Sequence, residues 1–380
     1  MRSLSAQQGL SHDPRRVVID GSAGLDGRQL EHGEGVAAET GPTRDARVPE
    51  LVSIVASGVT IADLTLSNAR DHLIHVQTRG RETRNTRIYN VTMIDPGEQA
   101  IKVNPNQDGR PFAPDSQAYT DDGEVACSRI ELTDAGRARV DRRFGDGCYT
   151  GGIDAHQSRA WRFVYNTISG FWCERGLSEH AIHVWTGSRD TVIEGNQIIN
   201  SARGIGLGLG RYDGTRWRNY TDGVCDGEHN RGHYGGRIRN NTILANDRRA
   251  AASQYGIDVG IALEAVCGTA VVNNTVISTV GFRSSAIEWR FPVTTGVVVM
   301  NNLTNGRLAG RNGASAAVLT NLTDASADWF RSVDGDGDLH LSQPIASVIR
   351  RGTAVPDLMV DKDGAPRGAA PDVGAYEYRP

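Results

Sequence analysis

Short alternating apolar runs recur along the chain, each closing on an asparagine and reopening on a second apolar pair: TRIYNVTMI, RFVYNTISG, VIEGNQIIN, RIRNNTILA, AVVNNTVIS and VVMNNLTNG. Aligned on that residue, they place Asn90, Asn166, Asn196, Asn241, Asn274 and Asn302 in register, at steps of 76, 30, 45, 33 and 28 residues. GVTIADLTL, with Asp63 in the asparagine position, begins the series, and CSRIELTD (127–134) fills the longest step. Periods near 28 to 30 residues with occasional insertions are those of a solenoid with one turn per repeat.

A second strand follows each of these. It reads HLIHVQ, QAIKVN, GGIDAH, HAIHVW, RGIGLG, YGIDVG and SAIEWR. Period-two alternation turns Ile74, Ile101, Ile153, Ile182, Ile205, Ile257 and Ile287 inward and the next residue of each outward. The repeats are too short for βαβ units, and no helical periodicity interrupts them. The predicted fold is therefore all-β: a right-handed parallel β-helix, one domain over residues 1–380, with stacked asparagines at one corner. Insertions are expected at about 105–125 and 211–234, rising as walls on either side of the outward residues, with a closing segment at about 334–380.

Composition narrows the class. Glycine takes 45 of 380 positions, aromatic residues only 6%, and no run of eighteen apolar residues exists, which excludes a helical membrane protein. A net charge of −4 argues against nucleic-acid binding. Only Lys102 and Lys362 among the 41 basic residues are lysines, and a lysine, unlike an arginine, can lose its proton in a cleft. The five cysteines, Cys127, Cys148, Cys173, Cys225 and Cys267, form no CxxC pair and suit one or two disulfides with one thiol left over. MRSLSAQQGLSHDPRR has no apolar core of a signal peptide, so a leader lost upstream is expected, with secretion or a periplasmic location.

The outward residues of the second strands form a file: His75, Lys102, Asp154, His183, Gly206, Asp258 and Glu288. Two positions on lies another: Gln77, Asn104, His156, Trp185, Gly208, Gly260 and Arg290. Lys102, Asp154, His156 and His183 fall on successive coils. This set suits proton abstraction beside a carboxylate: Lys102 or His156 as base, His183 or His180 as acid, Asp154 orienting an imidazole or binding a metal, and Arg203 pairing with the carboxylate. Trp185 and Trp289 are candidate sugar platforms; His75, Asn104, Asp258, Glu288 and Arg290 are candidate substrate contacts. Asp258 and Glu288, one coil apart in this alignment, also leave a retaining glycosidase open. C5-epimerisation of a polyuronate by the same residues and a non-catalytic carbohydrate-binding solenoid are the remaining alternatives.

IKVNP (101–105) followed by GGIDAHQSRAWRFVYNTISG (151–170) resembles the catalytic region of mannuronan C5-epimerases and related β-helix alginate lyases. The resemblance implies a uronic-acid polymer such as alginate as substrate, with Lys102, Asp154 and His156 at family catalytic or substrate-contacting positions. Ala155 replaces the family proline and Gly151 its tyrosine, for which Tyr149 or His180 are the substitutes. The tail, 357–378, is similar to the closing segment of secreted β-helix proteins, and Asp334, Asp336 and Asp338 read as a turn. His229 and His233 read as part of a solvated or substrate-facing loop. The expectation is a monomeric polysaccharide lyase with an anionic polysaccharide partner and neither nucleic acid nor membrane; no cofactor is required, calcium being the one candidate.

Overall fold

The computed structural model describes residues 17–20, 47–105, 118–209, 218–227 and 230–380. The chain winds as a right-handed parallel β-helix whose walls are three nine-stranded parallel sheets. One coil runs through Glu50–Ile54, Thr60–Ala62 and Leu64–Ser67 before His72–Gln77 stacks on the first of these. The face carrying the candidate chemistry has the longest strands, among them Gln99–Asn104, Gly151–His156, His180–Trp185, Arg203–Leu207, Val259–Glu264 and Ser285–Arg290.

Burial of one isoleucine per coil drives the stacking. Ile74, Ile101, Ile153, Ile182, Ile205, Ile261 and Ile287 are fully buried and pair in register. Each contributes about 1.5–3 kcal/mol of apolar burial. Ile261, not Ile257, is the sixth member. YGIDVGIALE contains the apolar pattern twice, four residues apart, and the sheet pairs the second copy.

The corner between the other two sheets is a two-residue turn. Its first residue adopts positive φ: Asp63, Asn90, Cys127, Tyr165, Asn240, Asn273 and Asn301 all lie between 51° and 58°. Its second residue is the ladder position. Asn196 Oδ1 accepts from the backbone N–H (3.0 Å) and the side chain (3.0 Å) of Asn166, while its Nδ2 donates to Asn241 Oδ1 (2.9 Å) and the Phe163 carbonyl (2.8 Å). Asn241, Asn274 and Asn302 repeat the pattern, which ends on Asn321. Asn90 and Asp63 are therefore one position out of the expected register: they belong to the column of turn residues, where asparagine tolerates positive φ. Leu64 and Val91 stand at their ladder positions, and on the next coil the Ser128 hydroxyl accepts from Val91 N–H at 3.1 Å.

Among the described residues two α-helices interrupt the coils, contrary to the sequence expectation. The first, α1 (Asp134–Phe144), is capped by Thr133, whose side chain accepts from Gly136 N–H; its sequence DAGRARVDRRF has too few apolar residues to show a helical period, and only Val140 is a buried aliphatic. The second, α2 (Arg248–Ala252), is a short turn capped by Asp247. Cys148–Cys173 and Cys225–Cys267 are disulfides and Cys127 is free. No helix among the described residues is long and apolar enough to cross a membrane. The Asp334 carbonyl accepts from Gly337 N–H in a turn, whereas Asp338 opens the strand Asp338–Leu341.

Asn241→Ala orphans the Asn196 N–H and the Ile193 carbonyl in a dry corner and is expected to cost about 3 kcal/mol or more. Asn90→Gly, at a positive-φ turn, should cost less than about 1 kcal/mol. Denaturant unfolding of both variants checks the register; equal losses would refute it.

Candidate active site

The outward file reads His75, Lys102, Asp154, His183, Gly206, Ala262 and Glu288. Ala262 replaces Asp258 and, in the neighbouring file, Glu264 replaces Gly260, through the same four-residue slip. Asp258 precedes its strand, where it accepts from Arg203 Nε (3.1 Å) and the Ser284 hydroxyl (2.6 Å). Four strand positions and one coil put it about 14 Å from Glu288 along the backbone, too far for a retaining pair. Glu288 is itself bound to Arg311 at 2.8 Å, and Arg290 to Glu264 at 2.9 Å. These groups form an ion-pair set at one end of the face rather than a pair of free carboxyls.

Lys102, Asp154, His156, Tyr149 and Trp185 do converge. Asp154, 2% exposed, takes the Lys102 ammonium and His156 Nε2 (2.9 Å) on one oxygen and Trp185 Nε1 (2.8 Å) on the other. Lys102 Nζ also lies 3.0 Å from His156 Nε2 and 3.5 Å from Tyr149 Oη. Burial alone would raise the Asp154 pKa, but His156 and Lys102 hold it well below the carboxylate range. Burial would lower Lys102, yet Asp154 and Tyr149 outweigh it and keep the amine above its ordinary value. Lys102 is thus held as a cation at neutral pH, which favours His156 of the two candidate bases read from sequence. His156 is pushed the other way: burial and the Lys102 charge lower it below 6.5 against the pull of Asp154, so the imidazole is neutral. Its Nδ1 has no partner among the described residues.

Tyr149 is the exposed member, 40% accessible, and burial of its hydroxyl end raises its pKa above 10 even though Lys102 opposes the shift. Two features of the chain fix it. It follows Cys148, which is tied to Cys173, and its ring meets the last residue of α1, Phe144, edge-on at 6.2 Å. Gly151, where the resemblance expects a tyrosine, has no room: a Cβ would come within 2.9 Å of the His180 carbonyl.

His183 and His180 differ from expectation in burial. His183 is 0% exposed and held at both nitrogens, Nδ1 by Glu179 (3.1 Å) and Nε2 by the Gly208 carbonyl (3.0 Å). His180 is 3% exposed and neither ring nitrogen has a partner. Both rings are closed off from solvent, unlike the exposed acid expected from sequence. Glu179 was not singled out from the sequence; it lies just before its strand, outside the alternation that exposes the rest.

His75 bridges Glu50 (2.5 Å) and Asn104 (2.6 Å) at the other end. Trp289 is buried in the core rather than offered as a platform, whereas Trp185 is half-exposed and lies against His156, ring centroids 4.5 Å apart. The strands before the two insertions end at Asn104 and Leu207, on the same edge of the face, and on the described side Arg218 grips Asp121 through two bonds of 2.6 and 2.9 Å. Residues 106–117, 210–217 and His229 lie outside the described residues; His233 is buried against Thr191 at 2.8 Å and faces no substrate.

No protein-family model matches the chain, and no curated protein matches its sequence. Among solved structures it is similar to pectate lyase Pel9A (12% identity, 86% of this chain and 82% of that one, TM-score 0.37). It is also similar to XylC in complex with xylose (13%, 87% and 61%, 0.44) and to PfbA, a surface adhesin of Streptococcus pneumoniae (11%, 71% and 62%, 0.35). The chain spans about three fifths of the length of the last two. At these identities the likeness concerns fold alone.

His156 should titrate below 6.5, and Lys102→Met should move it upward, because removing the neighbouring cation favours the imidazolium. Histidine NMR titrations of the two proteins check the sign.

Proposed function

We propose that the protein is a polysaccharide lyase acting on a uronic-acid polymer at the Lys102–Asp154–His156–Tyr149 cluster. The observation that carries this reading is one ammonium within reach of a carboxylate, a neutral imidazole and an exposed phenol on an open sheet face. β-Elimination asks for a cation to offset the substrate carboxylate, a base for the C5 proton and an acid for the departing oxygen. Lys102 supplies the first. Neutral His156 accepts the C5 proton; the C5–H electrons form the C4=C5 double bond as the C4–O bond breaks, and Tyr149 protonates the leaving oxygen. Trp185, standing beside His156, offers a ring for a sugar to stack on. Asp154 holds Lys102, His156 and Trp185 in place.

C5-epimerisation is the second reading, supported by the same residues and by the sequence resemblance. It differs in one step: Tyr149 returns a proton to the opposite face of C5 instead of to the leaving group. The glycosidase reading loses its geometric basis with the separation of Asp258 from Glu288. The disulfides favour an oxidising, secreted or periplasmic setting.

Incubation with a panel of polyuronates and glycosaminoglycans should raise ultraviolet absorbance from the unsaturated uronate. Lys102→Ala and His156→Gln should each reduce the rate by at least about 1,000-fold, while Glu288→Gln stays near wild type. A flat trace with epimerised product would select the second reading; loss of activity in Glu288→Gln but not in Lys102→Ala would refute both. The rate should fall as pH drops through a value below 6.5, where His156 takes up a proton and ceases to be a base. An acid limb above 6.5 would exclude His156 from that role.

A further inference from the structure

One coil beyond the proposed catalytic cluster, Glu179, His180 and His183 each turn one ligand-type atom toward a common point, all within 4.8 Å of one another. Their bonding is incomplete. With His183 Nε2 donating to the Gly208 carbonyl, Nδ1 presents a lone pair to the Glu179 carboxylate 3.1 Å away. Two electron-pair donors in that position need a cation between them. A proton can fill the gap by making His183 an imidazolium. It leaves His180, 3% exposed with both ring nitrogens unpartnered, without compensation for its burial.

We propose that Glu179, His180 and His183 bind one divalent transition-metal ion of the zinc class. Donors about 2.0–2.1 Å from a tetrahedral ion stand about 3.3 Å apart, close to the Glu179–His183 separation of 3.1 Å, and the His180 donor lies within 4.8 Å of both. A backbone carbonyl on the far nitrogen of a ligating histidine is the usual arrangement that fixes its tautomer, and the Gly208 carbonyl occupies that place. Gly206 leaves the space for His180: any Cβ there would lie within 2.6 Å of Nε2. Two imidazoles and one carboxylate select a transition metal over calcium or magnesium, which take all-oxygen shells. Asp154 Oδ1, 4.0 Å from His183 Nδ1, is the nearest further anion and links this site to Lys102. The proposal does not rest on the proposed reaction and is tested without turnover.

The whole chain, stripped with a chelator and returned to metal-free buffer, is titrated with Co2+. One equivalent should bind with the visible absorption of a four- or five-coordinate nitrogen–oxygen site, and Zn2+ should displace it. His180→Ala should weaken binding at least about 100-fold, whereas His340→Ala, removing a histidine paired with Asp338 and Asp363 elsewhere, should not. In the wild-type protein Zn2+ should shift the ring NMR signals of His180 and His183. Failure to bind one equivalent, binding that survives His180→Ala, or shifts confined to other histidines would each overturn the site, and the NMR measurement stands even if His180→Ala does not fold.

Discussion

The buried asparagine ladder holds each coil at a fixed height and phase above the last. Every carboxamide from Asn166 to Asn302 accepts from the preceding level and donates to the next, so a coil that slipped by one residue would strand several polar groups in a dry corner. The face a few residues further along each coil inherits that precision. Lys102, Asp154 and His183 come from positions separated by 52 and 29 residues of chain, yet they stand in adjacent rungs: the isoleucine stack sets the register of all three, and the ladder, whose asparagines begin at Asn166, reinforces it from the Asp154 coil onward.

Within that frame Asp154 is the electrostatic centre. It is buried and ionised, and that combination is stable only because an ammonium, an imidazole and an indole N–H surround it. The same contacts sort the neighbours into roles: Lys102 keeps its proton, His156 loses it, and Trp185 is oriented beside them. The carboxylate positions these groups and need not touch a substrate to govern how they behave.

The irregular segments finish the site from its two edges. On the edge where the strands begin, α1 and the Cys148–Cys173 bond bring Tyr149 to Lys102, and Glu179 sits just ahead of its strand beside His183. On the other, Arg218 pairs with Asp121, and Cys225–Cys267 ties the segment after Arg218 to the coils. Loops on both sides of a rigid sheet thus supply what the repeats cannot.

The sequence by itself determined the coil, the apolar stack, most of the asparagine ladder and the file from His75 to His183, because period-two alternation and a 28-to-30-residue repeat are properties of the chain alone. It misplaced Asn90 by one residue and Asp258 by four, since two adjacent polar residues, or two copies of one apolar pattern, look alike until hydrogen bonding chooses between them. Only the tertiary structure decided that Tyr149 meets Lys102, that Lys102 stays protonated, that Arg218 meets Asp121 and that His180 and His183 are buried beside Glu179. Those outcomes depend on distances across coils and on the charge and dryness at each point, and neither is written in local sequence.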